Sequence, residues 1–180
     1  MRPTRPPDAA PVWDLPVRLL HWSLVLSVLA ASLTLLLPGL GAWHRAAGYG
    51  ALLLVLLRLV WGVAGSANAR FSQFVRSPPA TWQYLRLLLQ RREPHAVGHN
   101  PLGAWMIVAL LATVAGLGLS GWLYTTDRFW GNEAVEDWHR GLAGALTALV
   151  AGHLAGVLFT SLRQRENLVR SMWTSRKRRR

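Results

Sequence analysis

Six histidines and no cysteine mark the chemistry open to this 180-residue chain. Without cysteine there can be no disulfide, no thiolate-bound iron–sulfur cluster and no covalent C-x-x-C-H attachment of a haem. Four of the histidines, His21, His44, His139 and His153, fall within long apolar runs. Ionisable groups are costly there and are retained mostly for function. His139 and His153 are 14 residues apart, which on a helix is roughly 1400°, about 40° short of four turns, and ~21 Å along the axis. They share one helix face at two depths. His44 lies at the depth of His139 and His21 near that of His153, so the four form two pairs, each drawn from two helices. Two imidazoles facing each other across helices hold a low-spin haem iron by both axial positions, an arrangement suited to electron transfer because no position remains for oxygen or substrate. Two other readings stay open: isolated histidines bonded to backbone carbonyls or water, and a naked metal site. The latter would normally gather three or four ligands at one depth.

Arginines near these histidines supply candidate partners for a haem's carboxylates. Arg58 follows His44 by 14 residues and lies on the same face at the inner end, where it could meet propionates of an inner haem; the alternative is snorkelling to lipid headgroups. Arg45 and Arg140 directly follow the two outer histidines and are candidates for the outer propionates. Gly48 and Gly156 lie close after His44 and His153, and Gly116, Gly118, Gly121, Gly141, Gly144 and Gly152 are spread along the late apolar runs. They clear space for a porphyrin, although small residues also serve ordinary membrane-helix packing. His95 and His99 occupy the polar stretch EPHAVGHNPLG. A loop role suits both, with His99 a secondary candidate for a quinone or propionate contact.

Four apolar runs are long enough to carry these residues through about 30 Å of hydrocarbon: 17–37, 43–64, 102–124 and 139–162. In lipid each must be helical, since an open strand would leave its backbone groups unpaired. The first run continues past the small residues Ala30, Ala31 and Ser32 to Leu37, so it reads as a retained span and not as a cleaved signal. The turn at 38–42 is short and closes an antiparallel hairpin. Within the connection 65–101, the segment PATWQYLRLLLQRR (79–92) sets Trp82, Leu85, Leu88 and Leu89 toward one face and suits a short helix lying on the membrane surface; a solvated basic loop is the alternative. Asn100 and Pro101 read as the cap and first residue of the third span. Tryptophan, at 10 residues, outnumbers the other aromatics, and Trp13, Trp22, Trp43, Trp61, Trp105, Trp122, Trp138 and Trp173 read as an interfacial belt. The expected fold is all-α: one integral membrane domain over 1–180, a four-helix bundle running up-down-up-down, with a short cytoplasmic interfacial helix between helices 2 and 3 and a basic tail at 163–180.

The net charge of +12 is distributed by side. Arg2, Arg5 and Arg18, then Arg70, Arg76, Arg86, Arg91 and Arg92, then eight Lys and Arg from Arg163 to Arg180 fall on one face of the membrane. The other face has Arg45, Arg128 and Arg140 against Asp127, Glu133, Glu136 and Asp137. The positive-inside bias therefore places both termini and the 65–101 connection in the cytoplasm. The terminal RKRRR enforces orientation or meets anionic lipid more simply than it binds nucleic acid.

The chain resembles the bacterial cytochrome b-561 proteins, in particular the branch similar to the cytochrome b subunit of nickel–iron hydrogenases. The resemblance rests on VWDLPVRLLHW around His21, the His44 to Arg58 spacing, FVRSP followed by GHNPLGAWM, WHRGLAGALTALVAGH with both late histidines, and RENLVRSM in the tail. It implies two haems b, with His21 and His153 on the inner haem and His44 and His139 on the outer. It also implies exchange with the quinone pool and with a redox partner, such as a cytochrome c or a dehydrogenase or hydrogenase complex, in a bacterial inner membrane. The short outer segment between the third and fourth helices departs from the pattern and leaves the partner open. The expectation is an electron-transfer cytochrome of the respiratory chain. Quinol oxidoreductase activity and the choice between monomer and homodimer are left open, and a haem-free membrane anchor or scaffold subunit of a respiratory complex is the rival.

Overall fold

The structure is a computed structural model that describes residues 13–92 and 100–174. Arg2, Arg5, His95, His99 and the terminal RKRRR lie outside the described residues. The described residues fold as helices alone, four of them long and apolar enough to cross a membrane.

α1 (Leu15–Thr34) starts where Asp14 accepts the amide of Val17 at 2.9 Å and Pro16 occupies the first turn. It stops three residues before the expected Leu37, because Leu35 and Leu36 turn back onto Ser32 and Leu33 ahead of Gly39 at φ +82. α2 (Gly41–Ala64) returns, α3 (Phe71–Phe74) is a single turn, and α4 (Pro78–Leu89) is the short helix expected between the second and third spans. α5 (Pro101–Tyr124) is capped by Asn100, whose side chain accepts the Gly103 amide at 2.7 Å. α6 (Glu133–Gln164) begins six residues ahead of the expected His139. Asn132 caps it, and Glu133 and Glu136 place negative charge on the positive end of the helix dipole. His139 thus lies two turns inside the helix. The basic tail holds a seventh helix, α7 (Leu168–Thr174), for which no helix was expected; it turns off α6 at Arg165.

Side-chain contacts fix the alternation of the spans. His44, early in α2, reaches Ala31 near the end of α1; Tyr49 meets Thr125 just past α5; and Tyr124 at the end of α5 donates to Glu136 at the start of α6. The packing order is α1 on α2, α2 on α5, α5 on α6. The central seam holds Ala51 and Val55 of α2 against Leu111 and Val114 of α5. Gly118 lets the two helices meet, since a methyl group there would approach Leu52 Cβ to 2.8 Å. α6, by contrast, buries none of its residues and makes no close helix-to-helix packing with α1 or α2.

At the basic end a second cluster joins Trp13, Val17 and Ala69 with Trp61 and Met172. Asp14 ties it together. Besides capping α1, its carboxylate accepts from the indole of Trp61 at 2.9 Å and from the hydroxyl of Ser66. This corrects part of the expected aromatic belt: Trp13 is buried and Trp61 serves Asp14, while Trp43, Trp105, Trp122, Trp138 and Trp173 remain exposed to the surroundings.

Burial opposes ionisation of Asp14, but the Ser66 hydroxyl, the Val17 amide, the Trp61 indole and the Arg58 charge outweigh it and hold the carboxyl below its ordinary range. Folding lowers this pKa, so the network contributes fully above the unfolded value of about 3.9 and loses its contribution as pH falls through the folded value. Asp14→Asn should therefore cost roughly 1–2 kcal/mol near neutrality and flatten the loss of thermal stability below about pH 4. Melting curves of the detergent-solubilised protein against pH test this, and an unchanged acid limb in the variant would assign that limb to other carboxylates.

Candidate cofactor site

Each expected histidine pair is brought together in space. At the acidic end the rings of His44 and His139 lie with centroids 6.2 Å apart, inclined at 73°. At the basic end His21 and His153 lie 6.5 Å apart at 54°. One atom bound by two imidazoles at a metal–nitrogen distance of about 2.0–2.1 Å, with ~1.1 Å from nitrogen to ring centre, needs about 6.3 Å between the centres. Both centroid gaps lie close to that value. Among the described residues, no three His, Cys, Asp or Glu side chains gather at one place.

Hydrogen bonds at the acidic end orient each ring. His44 Nδ1 lies 2.9 Å from the carbonyl oxygen of Ala31, which only accepts, so Nδ1 carries a proton. His139 Nδ1 lies 2.8 Å from Ser120 Oγ, and with that hydroxyl turned to Leu117 O at 3.2 Å the oxygen can accept from the ring. Imidazoles that ligate metal characteristically give their second N–H to such an acceptor, which sets ring orientation and raises basicity. Ser120 and Ala31 were not evident from spacing; the one available signal was a serine, fully buried in the structure, within an otherwise apolar span.

A methyl group added at Gly48, Gly141, Gly144 or Gly156 would meet nothing within 4 Å, whereas at Gly116 it would approach Leu142 to 3.0 Å and at Gly121 it would lie 3.4 Å from the ring of His139. The glycines therefore divide between close helix approach, at Gly116 and Gly121, and open surroundings.

The arginines are distributed unequally. Arg58 is buried, donates from Nη2 to Ala69 O at 3.1 Å and holds its guanidinium 4.7 Å from the centre of the Phe71 ring. Its Nη1 is buried without a protein partner. Gly62 makes room for Phe71, since a Cβ at that position would fall 2.0 Å from the ring. Arg140 pairs with Glu136 and, at 3.4 Å, with Asp137, and is largely exposed; Arg45 is exposed near Gly41. His99, the secondary candidate, lies outside the described residues. At the basic end, α7 folds across the site. Arg18 donates to the carbonyls of Met172 and Trp173, and Trp22 sits between His21 at 5.3 Å and Trp173 at 5.2 Å.

Histidine ¹⁵N shifts of the cofactor-free protein should show the Nδ1–H form at His44 and His139. Ser120→Ala, which removes one acceptor at a cost of about 1–3 kcal/mol, should return His139 alone to a tautomer mixture. Unaltered His139 shifts in that variant would mean that Ser120 does not orient the ring.

The sequence model of prokaryotic cytochrome b561 matches residues 12–175. A probable Ni/Fe-hydrogenase B-type cytochrome subunit of Bradyrhizobium diazoefficiens is 25% identical over 206 residues, covering 89% of this chain and 83% of that protein. No solved structure matches.

Proposed function

The chain belongs to the prokaryotic cytochrome b561 family, and on that premise we propose that it conducts electrons through two b haems between the membrane quinone pool and a redox partner protein, a hydrogenase complex in the first instance. The four-span bundle supports a multi-pass bacterial membrane protein, and the family supports a haem-b electron carrier. Two haems per chain is the finer claim, and the observation that carries it is the pair of imidazole gaps at 6.5 and 6.2 Å.

His21 and His153 hold the inner haem and His44 and His139 the outer one. A haem b bound between two imidazoles supplies a one-electron ferric/ferrous couple with no open coordination position. The protein's own residues do the rest. Ala31 and Ser120 aim the outer imidazoles, and Gly121 leaves room beside the ring of His139. Arg58 Nη1 is the donor available to an inner propionate. Arg45, and Arg140 where it is shared with Glu136, are the cations available to the outer propionates. α7 and Trp22 screen the inner ligand from water, and a quinone or propionate contact is assigned to His99. The distribution of basic residues supports a cytoplasmic location for both termini.

A pyridine haemochrome assay is expected to give two haems per chain; one would refute the two-site assignment, and none would favour a haem-free anchor subunit. His21→Ala and His153→Ala should each empty the same haem or turn it high-spin, and His44→Ala and His139→Ala should do so to the other. Matching spectra for His21→Ala and His44→Ala would break the pairing.

A topology measurement is independent of the haems. A cytosolic reporter fused after Arg180 should be active and a periplasmic one silent; the reverse result would exchange the inner and outer assignments.

A further inference from the structure

At the basic end a groove of about 360 Å³ runs between α4 and the start of α5, lined by Pro78, Thr81, Trp82, Leu85, Leu102 and Trp105. Its walls are held in place: Trp105 donates its indole N–H to Arg76 O at 3.1 Å, and Tyr84, on the other face of α4, is buried. The lining is apolar, yet Trp82 is 57% and Trp105 40% exposed, and Leu89 at the end of α4 is 77% exposed. Such surfaces are stable at the depth where acyl chains meet headgroups.

The rim is cationic. The Arg86 guanidinium lies 5.6 Å from the centre of the Trp82 ring, at the edge of the groove, and Arg76 leads into Pro78. From Gly65 to Arg92 the chain has five arginines, Arg70, Arg76, Arg86, Arg91 and Arg92, and no Asp or Glu. An apolar slot under a cationic edge, beside the end of a membrane span, is complementary to an acyl chain carried by an anionic headgroup.

We propose that the groove between α4 and α5 binds one anionic phospholipid, with an acyl chain along Trp82, Leu85, Leu102 and Trp105 and the phosphate at Arg86 and Arg76. Charge complementarity selects the occupant, because a zwitterionic lipid would fill the slot equally well but gain nothing from unpaired arginines. A lipid seated there fixes α4 on α5 at the membrane surface. The assignment is independent of the haem ligands.

The test is native mass spectrometry of the holoprotein released from mild detergent containing equal amounts of phosphatidylglycerol and phosphatidylcholine. One phosphatidylglycerol should remain bound at energies that strip phosphatidylcholine. Arg86→Gln should weaken that retention about fivefold, and Thr81→Trp, which fills the slot without removing charge, should abolish it. The helical circular dichroism and visible absorbance of both variants should stay unchanged. Equal retention of the two lipids, or an Arg86→Gln variant that holds phosphatidylglycerol as the wild type does, overturns the proposal. A dimer in place of the lipid adduct, dissolved by Thr81→Trp, would overturn it in favour of contact between two copies of this chain.

Discussion

The seam between α2 and α5 sets the separation on which both histidine pairs depend. α1 travels with α2 as one hairpin, and α6 travels with α5 as the other. The facing rings come from opposite hairpins: His21 and His44 from the first, His139 and His153 from the second. Whatever fixes α2 against α5 therefore fixes both imidazole gaps together. In lipid no hydrophobic force drives helices together, and close approach of small residues has to hold the seam. Gly118 against Leu52, with Ala51 and Val55 against Leu111 and Val114, provides that approach. The same geometry explains why a 32-residue helix buries none of its residues: among the long helices α6 packs mainly on α5.

The two histidine pairs are finished by different means. At the acidic end, individual hydrogen bonds aim the rings, from His44 to Ala31 and from His139 to Ser120. At the basic end, packing predominates, with Trp22 between His21 and Trp173 and with α7 held to α1 by Arg18. Arg18 donates to the last carbonyls of α7, which lack partners in any helix, so one arginine both ends that short helix and docks it. A short helix of this kind has little stability of its own and depends on such contacts.

Much of this was legible in the sequence because it follows from periodicity. Fourteen residues nearly complete four helical turns, so His139 and His153 had to share a face once their segment was helical. Spans of apolar residues and caps at Asn100 were equally local signals. The misplaced features are those decided by partners distant in sequence. The start of α6 was set too late because its first turn, GNEAVED, reads as an acidic loop until Asn132 is seen capping it. Trp13 and Trp61 read as lipid anchors because their use depends on Asp14, 47 residues from Trp61 and invisible to any local pattern. α7 was missed since a helix of seven residues leaves too little periodicity to detect. The apolar face read for α4 leaves Trp82 and Leu89 exposed, as a helix at the membrane surface requires, while Tyr84, which is buried, was not singled out because it stands alone on the other face.

Arg58 shows how an intramembrane charge can act without being a free charge. Snorkelling would carry its guanidinium out to headgroups, but the structure keeps it buried on Phe71 and Ala69. A lone buried cation would cost several kcal/mol, and the Asp14 carboxylate, near enough to feel its charge, offsets that cost. Arg58 keeps one nitrogen, Nη1, buried without a protein partner. Burial of an unpaired N–H is itself unfavourable by about 1–3 kcal/mol, so an acceptor delivered to Nη1 would relieve a cost already built into the fold.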